Sequence, residues 1–175
     1  MPGWLKWGLL ALWALSLLAG MLLYSQRQLS EFDPGMTLSQ AAASPDFDAR
    51  FVTLLETQGV QPGSIVHLQK DTGCYCNQLT DPHTRQLAAS LEKDQFRFRR
   101  LSLDTVPELK ALIPTFPAVA VVDKQRKLRY LGPYATGYGC FTGATLVESI
   151  AHIATSEKSL GAVINTSAEG CFCAV

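Results

Sequence analysis

From Trp7 to Gln26 the chain runs for twenty residues without a charged side chain. At about 1.5 Å per residue, a helix of that length spans the roughly 30 Å of a bilayer's hydrocarbon core. Residues 1–26 are therefore expected to form one N-terminal transmembrane anchor. Trp4, Trp7 and Tyr24 stand near the two ends of the run, where amphipathic rings favour the membrane boundary. Lys6 and the free amine flank the short end, which puts the N-terminus inside and the rest of the chain outside. The run exceeds the apolar core of a signal peptide and no A-x-A site ends it, so retention is favoured over cleavage. No cysteine follows it to carry a lipid. Under either outcome the remainder is exported.

That remainder, roughly 130 to 150 residues, is the size of one domain able to bury its own core. Lys plus Arg and Asp plus Glu both number 15, so no broad positive field draws the chain to nucleic acid, and no nucleic-acid partner is expected. Residues 27–43 are polar and Ala-rich without sustained periodicity, and read as a linker. The exported domain is then 44–175, including a cysteine-containing C-terminal tail.

Within it, Ser44 and Pro45 suit a helix start, and Phe47, Phe51 and Leu54 recur at helical spacing until Gly59. A strand follows over Ser64 to Lys70, then Cys-Tyr-Cys, then a helical stretch to about Lys93. Asp81-Pro82 either caps a helix that starts after the cysteines or kinks one that starts at them. Phe96 to Leu103 reads as a strand, Val106 to Ile113 as a short helix, and Ala118 to Val122 with Leu128 to Leu131 as a hairpin. Thr145 and Glu148 have capping-box spacing ahead of a last helix to about Thr155. The order αβαβαββα calls for a largely parallel sheet covered on both faces, with the hairpin as one antiparallel step.

The chemistry resides in five cysteines: Cys74, Cys76, Cys140, Cys171 and Cys173. An oxidising compartment permits bridges, and an odd number leaves one thiol over. Three readings follow. The cysteines can be structural bridges that staple the tail to a non-catalytic interaction module. They can be redox centres, with a bridge between Cys74 and Cys76 closing a small, strained and readily exchanged ring. Or C-x-C thiolates can take Cu(I) or Zn(II), although zinc sites usually leave two to four residues between paired cysteines, so no metal and no cofactor are expected. His152 falls on the polar face of the last helix. His67 lies within a strand as a satisfied core or edge residue, and His83 is the one histidine close in sequence to the C-x-C. Tyr75, Tyr134 and Tyr138 read as packing residues, and the glycines around Cys140 as a flexible loop.

A cysteine motif directly after the first strong strand, with a proline opening the strand from Ala118, resembles the thioredoxin-like superfamily over roughly residues 44–155. GCYCN, PAVAVVD, RYLGPY, GYGC and the terminal GCFC together resemble an uncharacterised family of bacterial membrane-anchored thioredoxin-like proteins with C-x-C in place of C-x-x-C. The resemblance implies a three-layer fold, a central mixed sheet with helices on both faces. It also implies a cis proline at Pro117 facing Cys74 and Cys76, and a place in the bacterial inner membrane with the domain in the periplasm. Because C-x-C departs from the usual spacing, the resemblance implies fold rather than activity. The chemistry of the cysteines themselves is the ground for expecting thiol-disulfide exchange with protein thiols or disulfides through Cys74, with Cys76 resolving, as an oxidoreductase or isomerase. In that layout the loop holding Cys140 lies at the same end as Cys74 and Cys76, and the tail is long enough for Cys171 and Cys173 to return there, with Gly161 to Asn165 as an edge strand.

Overall fold

The computed structural model describes residues 2–27, 29–71, 73–137, 144–156 and 161–175. It begins with α1 (Gly3–Arg27), whose segment Gly3–Tyr24 is long and apolar enough to cross a membrane and is not buried against the rest of the chain. A two-residue strand β1 (Ser30–Glu31), a short helix α2 (Thr37–Ala42) and the helix α3 (Phe47–Thr57) follow.

Residues 30–43 are not the linker that their composition implied. Phe32 and Leu38 are fully buried in the core. The Asp33 carboxylate accepts from the amides of Leu38 and Ser39, at 3.2 and 2.8 Å, and so satisfies donors that the first turn of α2 leaves open. Two buried apolar side chains and one capping acid suffice to dock a segment too short to show a period. In α3, Phe47, Phe51, Val52 and Leu55 face inward. The helix starts later than Ser44 and Pro45 implied, because the Ser44 hydroxyl bonds the Asp46 carboxylate rather than a helix amide.

The central sheet is built from β2 (Ser64–Gln69), β3 (Arg97–Ser102), β5 (Ala118–Val122), β6 (Leu128–Gly132) and β7 (Val163–Ile164), in the order β3-β2-β5-β6-β7. β2 pairs parallel to β3 and antiparallel to β5, β5 antiparallel to β6, and β6 parallel to β7. β5 thus runs against the other four, and the sheet has two antiparallel steps rather than the one expected from element order. The connection from β3 to β5 holds a 3-10 turn (Leu103–Thr105), the six-residue helix α6 (Pro107–Leu112) and the short strand β4 (Thr115–Phe116). A helix of that length rises only about 9 Å, less than a six-residue strand, so the chain enters β5 at the end where it left β3.

Between β2 and β3 lie α4 (Tyr75–Leu79) and α5 (Asp81–Leu91). Of the two arrangements open for Pro82, the helical turn begins at the cysteines and breaks at Thr80, leaving Pro82 in the first turn of α5, where its missing amide is not needed. The last helix, α7 (Val147–Thr155), starts at Val147, and the Thr145 hydroxyl meets the Val147 amide and His83 Nδ1, each at 3.3 Å. The expected capping box is therefore not made.

Side chains of the sheet alternate between two cores, as period-two strands require. Val66, Leu68, Ala118, Ala120 and Val122 pack on one face with α2, α3 and α6. Ile65, Val119, Val121 and Tyr130 pack on the other with Leu87 and Leu91 of α5 and Val147 and Ile150 of α7. The architecture is mixed α/β, with a five-stranded mixed sheet between helices and an apolar N-terminal helix.

The tail ends in two more short strands outside this sheet. β8 (Glu169–Gly170) pairs antiparallel with β1, and β9 (Cys173–Ala174) pairs antiparallel with β4.

Candidate functional site: a doubly bridged cysteine centre

Cys74 closes the loop after β2 in an extended conformation and stands at the N-cap position of α4, with Cys76 in the first turn. Facing them is the tail. Cys74 is bridged to Cys173 across a Cα separation of 6.5 Å, and Cys76 to Cys171 across 5.4 Å. Of the pairings left open by the sequence, the bridge within Cys74 and Cys76 is not formed, and both bridges join the tail to the domain. Each C-x-C pair is instead locked to the other.

Backbone pairing puts the tail there. Ser30 lies opposite Gly170, and Phe116 opposite Cys173. The Cys171 amide donates to the Gly137 carbonyl at 3.1 Å, and the Val175 amide to that of Pro114 at 3.1 Å. The Ser30 hydroxyl donates to the Phe172 carbonyl at 3.2 Å. In near-extended chain, residues two apart share a side and the one between points away. Cys171 and Cys173 accordingly meet the other cysteines, while Phe172 makes an edge-on contact with Phe32, ring centres 5.2 Å apart. Gly170 permits this fold-back, because a Cβ there would lie 2.8 Å from Phe172 Cζ and 3.1 Å from the Gly137 carbonyl oxygen.

The Sγ atoms of Cys74, Cys76 and Cys173 all lie within 4.8 Å of one another. Cys76 is buried, whereas Cys74, Cys171 and Cys173 are partly exposed, and Tyr75 between the first pair is 66% exposed. Behind the inner bridge, Cys76, Cys171, Pro117, His83 and Tyr134 line a small cleft of about 30 Å³. The Phe116–Pro117 peptide bond is cis.

His83 therefore shares a cleft with Cys76 and Cys171, and burial lowers its pKa. His67 is buried: its Nδ1 is 3.0 Å from the Tyr134 hydroxyl and its Nε2 is 3.3 Å from Asn77 Oδ1. Desolvation is the chief cause that brings its pKa down to about 4, and burial raises that of Tyr134. This chain of polar side chains supports α4 from beneath the cysteines. His152 is exposed on α7. Cys140, expected at the end of the molecule that holds Cys74 and Cys76, lies with Tyr138 outside the described residues.

The site thus unites Cys74, Cys76, Pro117, Cys171 and Cys173. The residues that the sequence did not mark are Phe32, Phe172 and Gly170, which seat the tail. The signal for them is faint: a phenylalanine ahead of an Asp-Pro-Gly turn, and another enclosed between two cysteines.

One family model matches residues 44–175, and its description is "Domain of unknown function (DUF6436)". No curated protein matches the chain. No solved structure matches it.

Proposed function

Because the chain belongs to the DUF6436 family, whose description assigns no activity, we propose from the site itself that it is a membrane-anchored thiol-disulfide exchange protein of thioredoxin-like fold. The sheet order β3-β2-β5-β6, with β5 reversed, supports that fold, as do cysteines directly after β2 and a proline directly before β5. Two disulfides belong in an oxidising compartment. Together with the apolar α1, they support single-pass anchoring in a bacterial inner membrane with the domain in the periplasm.

The observation that carries the reading is the pair of bridges that joins two C-x-C motifs, with three sulfurs within 4.8 Å of one another. The outer bridge is the reactive one, since both its cysteines are partly exposed while Cys76 of the inner bridge is buried. A substrate thiolate attacks Cys74 Sγ, forming a mixed disulfide and releasing Cys173 as thiolate. A second substrate thiolate then attacks the substrate sulfur of that mixed disulfide, leaving an oxidised substrate and a Cys74 thiolate. The substrate loses two electrons and two protons, and the bridge gains them as two thiols. The inner bridge holds a further oxidising equivalent beside it.

The partners are protein thiols close to the membrane. Three residue steps separate Arg27, the end of α1, from Ser30, whose pairing partner Gly170 precedes Cys171. Such a segment spans at most about 11 Å, so the cysteine centre stays tethered near the bilayer surface.

The packing of Phe172 on Phe32 favours a second reading, in which the bridges only staple the tail. One experiment separates the two. The oxidised full chain in detergent micelles is mixed with a reduced, unfolded dithiol protein, and loss of substrate thiols is followed. Loss of substrate thiols, up to the equivalents that the bridges hold, should outpace buffer, vanish in Cys74→Ser and persist in Cys140→Ser. Substrate oxidation equal to buffer, with both bridges intact by mass, refutes exchange and leaves the staple.

A further inference from the structure

We propose that, once both bridges are reduced, Cys74, Cys76, Cys171 and Cys173 form a four-thiolate site for one Zn(II) ion. This goes beyond the exchange reading and does not depend on it. The spacing within either C-x-C motif argues against zinc, but the fold supplies what neither motif has, a second pair of thiols facing the first.

The geometry is close to that required. Zn–S bonds of about 2.3 Å in a tetrahedron put neighbouring sulfurs about 3.8 Å apart. Three of the sulfurs already lie within 4.8 Å of one another, and the fourth, that of Cys171, is bonded to Cys76 Sγ. Breaking the bridges removes bonds much shorter than that spacing, so small side-chain rotations open the cluster toward a tetrahedron.

The four thiols also stay together when the bridges open, because the tail is held by more than sulfur. Gly170 remains paired with Ser30, and Cys173 with Phe116. The Cys171 and Val175 amides keep their carbonyl partners, and Phe172 keeps its contact with Phe32. A zinc ion with four thiolates carries a net charge of about −2. The Lys70 ammonium, 6.0 Å from the ring centre of Phe116 and ion-paired with Asp104 at 3.8 Å, lies beside β4, the strand that pairs with the one holding Cys173.

The redox balance closes with a thiol or phosphine reductant. Two disulfides take up four electrons and four protons to give four thiols, and the reductant is oxidised to a disulfide or, with water, to a phosphine oxide. Zinc binding then releases the four thiol protons. The oxidised and zinc-loaded states exclude each other, so the centre alternates between two bridges and one metal.

The test uses the full chain in detergent micelles, reduced anaerobically with a phosphine, given Zn(II) alone and desalted before elemental analysis. The reduced chain should retain about one equivalent and the oxidised chain none. Cys140→Ser should retain zinc, and the Cys76→Ser/Cys171→Ser variant should lose it. Co(II) in place of zinc should give sulfur-to-metal charge transfer in the near ultraviolet and the intense visible bands of tetrahedral cobalt. If the double variant does not fold, the wild-type cobalt spectrum decides alone. Retention of no zinc by the reduced chain, equal retention by the oxidised chain, or a weak octahedral cobalt spectrum would each overturn the proposal.

Discussion

The two bridges are nested, and nesting makes their contributions to stability unequal to the sum of their parts. Cys74 and Cys173 are 99 residues apart, and Cys76 and Cys171 are 95 apart. Closing a loop of about 100 residues removes unfolded-state entropy worth about 4.7 kcal/mol. With either bridge in place, the other closes only a small ring through residues 74–76 and 171–173. For six residues the same relation gives about 2 kcal/mol. Removing either pair, as Cys74→Ser/Cys173→Ser or Cys76→Ser/Cys171→Ser, should therefore cost about 2 kcal/mol, and removing all four cysteines about 7 kcal/mol. The excess over the sum, about 3 kcal/mol, measures the nesting. Urea unfolding of the full chain in micelles gives these values if the probe reports on the domain. Tryptophan does not, since Trp4, Trp7 and Trp13 all lie in α1, but the near-ultraviolet signal of the buried Tyr130 and Tyr134 does. A four-cysteine variant that loses no more than the two double variants added together would refute the loop-closure account.

The buried pair of Arg129 and Asp123, 6% and 4% exposed with Nη1 to Oδ2 at 3.2 Å, makes a second expectation. Arg129 also donates to the carbonyls of Ile153 and Ser156 at the end of α7, so Arg129→Ala should cost about 3 to 5 kcal/mol by leaving the buried carboxylate without its counter-charge; the same urea titration should show Arg129→Met with Asp123→Asn recovering part of it, since the asparagine oxygen can still accept from the Gln125 and Lys127 amides, and an Arg129→Ala loss under about 1 kcal/mol would contradict the burial argument. His67 sets a pH dependence: its folded pKa of about 4 lies below its ordinary 6.5, so between those values the unfolded chain binds the extra proton and stability falls as pH is lowered. The His67 share of the loss should approach about 3 kcal/mol by pH 4 and should be missing in His67→Phe, which keeps only the part due to His83, whose pKa burial also lowers; unfolding midpoints across that range read it, and an unchanged slope in the variant would assign the effect elsewhere.

The elements legible in the sequence were those long enough to show a period or bounded by strong punctuation. The apolar run of α1, the buried strands β2 and β5, and the stripes of α3 and α7 fall in this class, because burial of one face imposes a regular spacing on the residues that supply it. Their boundaries shifted wherever a side chain had two available partners. Ser44 bonded Asp46, and Thr145 divided itself between the Val147 amide and His83. The reversed entry into β5 was not marked by composition, since a six-residue helix reads much like any short helix until its length is set against the strand it would have to span.

The return of Cys171 and Cys173 to the first cysteine pair was legible from the length of the tail, but the strand pairings that hold the tail, and the segment after α1, were not. β1, β4, β8 and β9 have two residues each, too few for alternation to register, and their pairings join residues 30 to 170 and 116 to 173. Nothing local encodes such a partner. The spacing of Cys171 and Cys173 does carry a constraint, because two cysteines one residue apart in extended chain must face the same way. That constraint yields a target only when the opposite pair has the same spacing and the intervening Phe172 has a pocket. Phe32 supplies the pocket, and it lies in the segment whose polar composition concealed that it is core. The cysteine centre is thus assembled from both ends of the chain. The residue that makes the tail fit is Gly170, where an added Cβ would meet both Phe172 and the Gly137 carbonyl before either bridge could close.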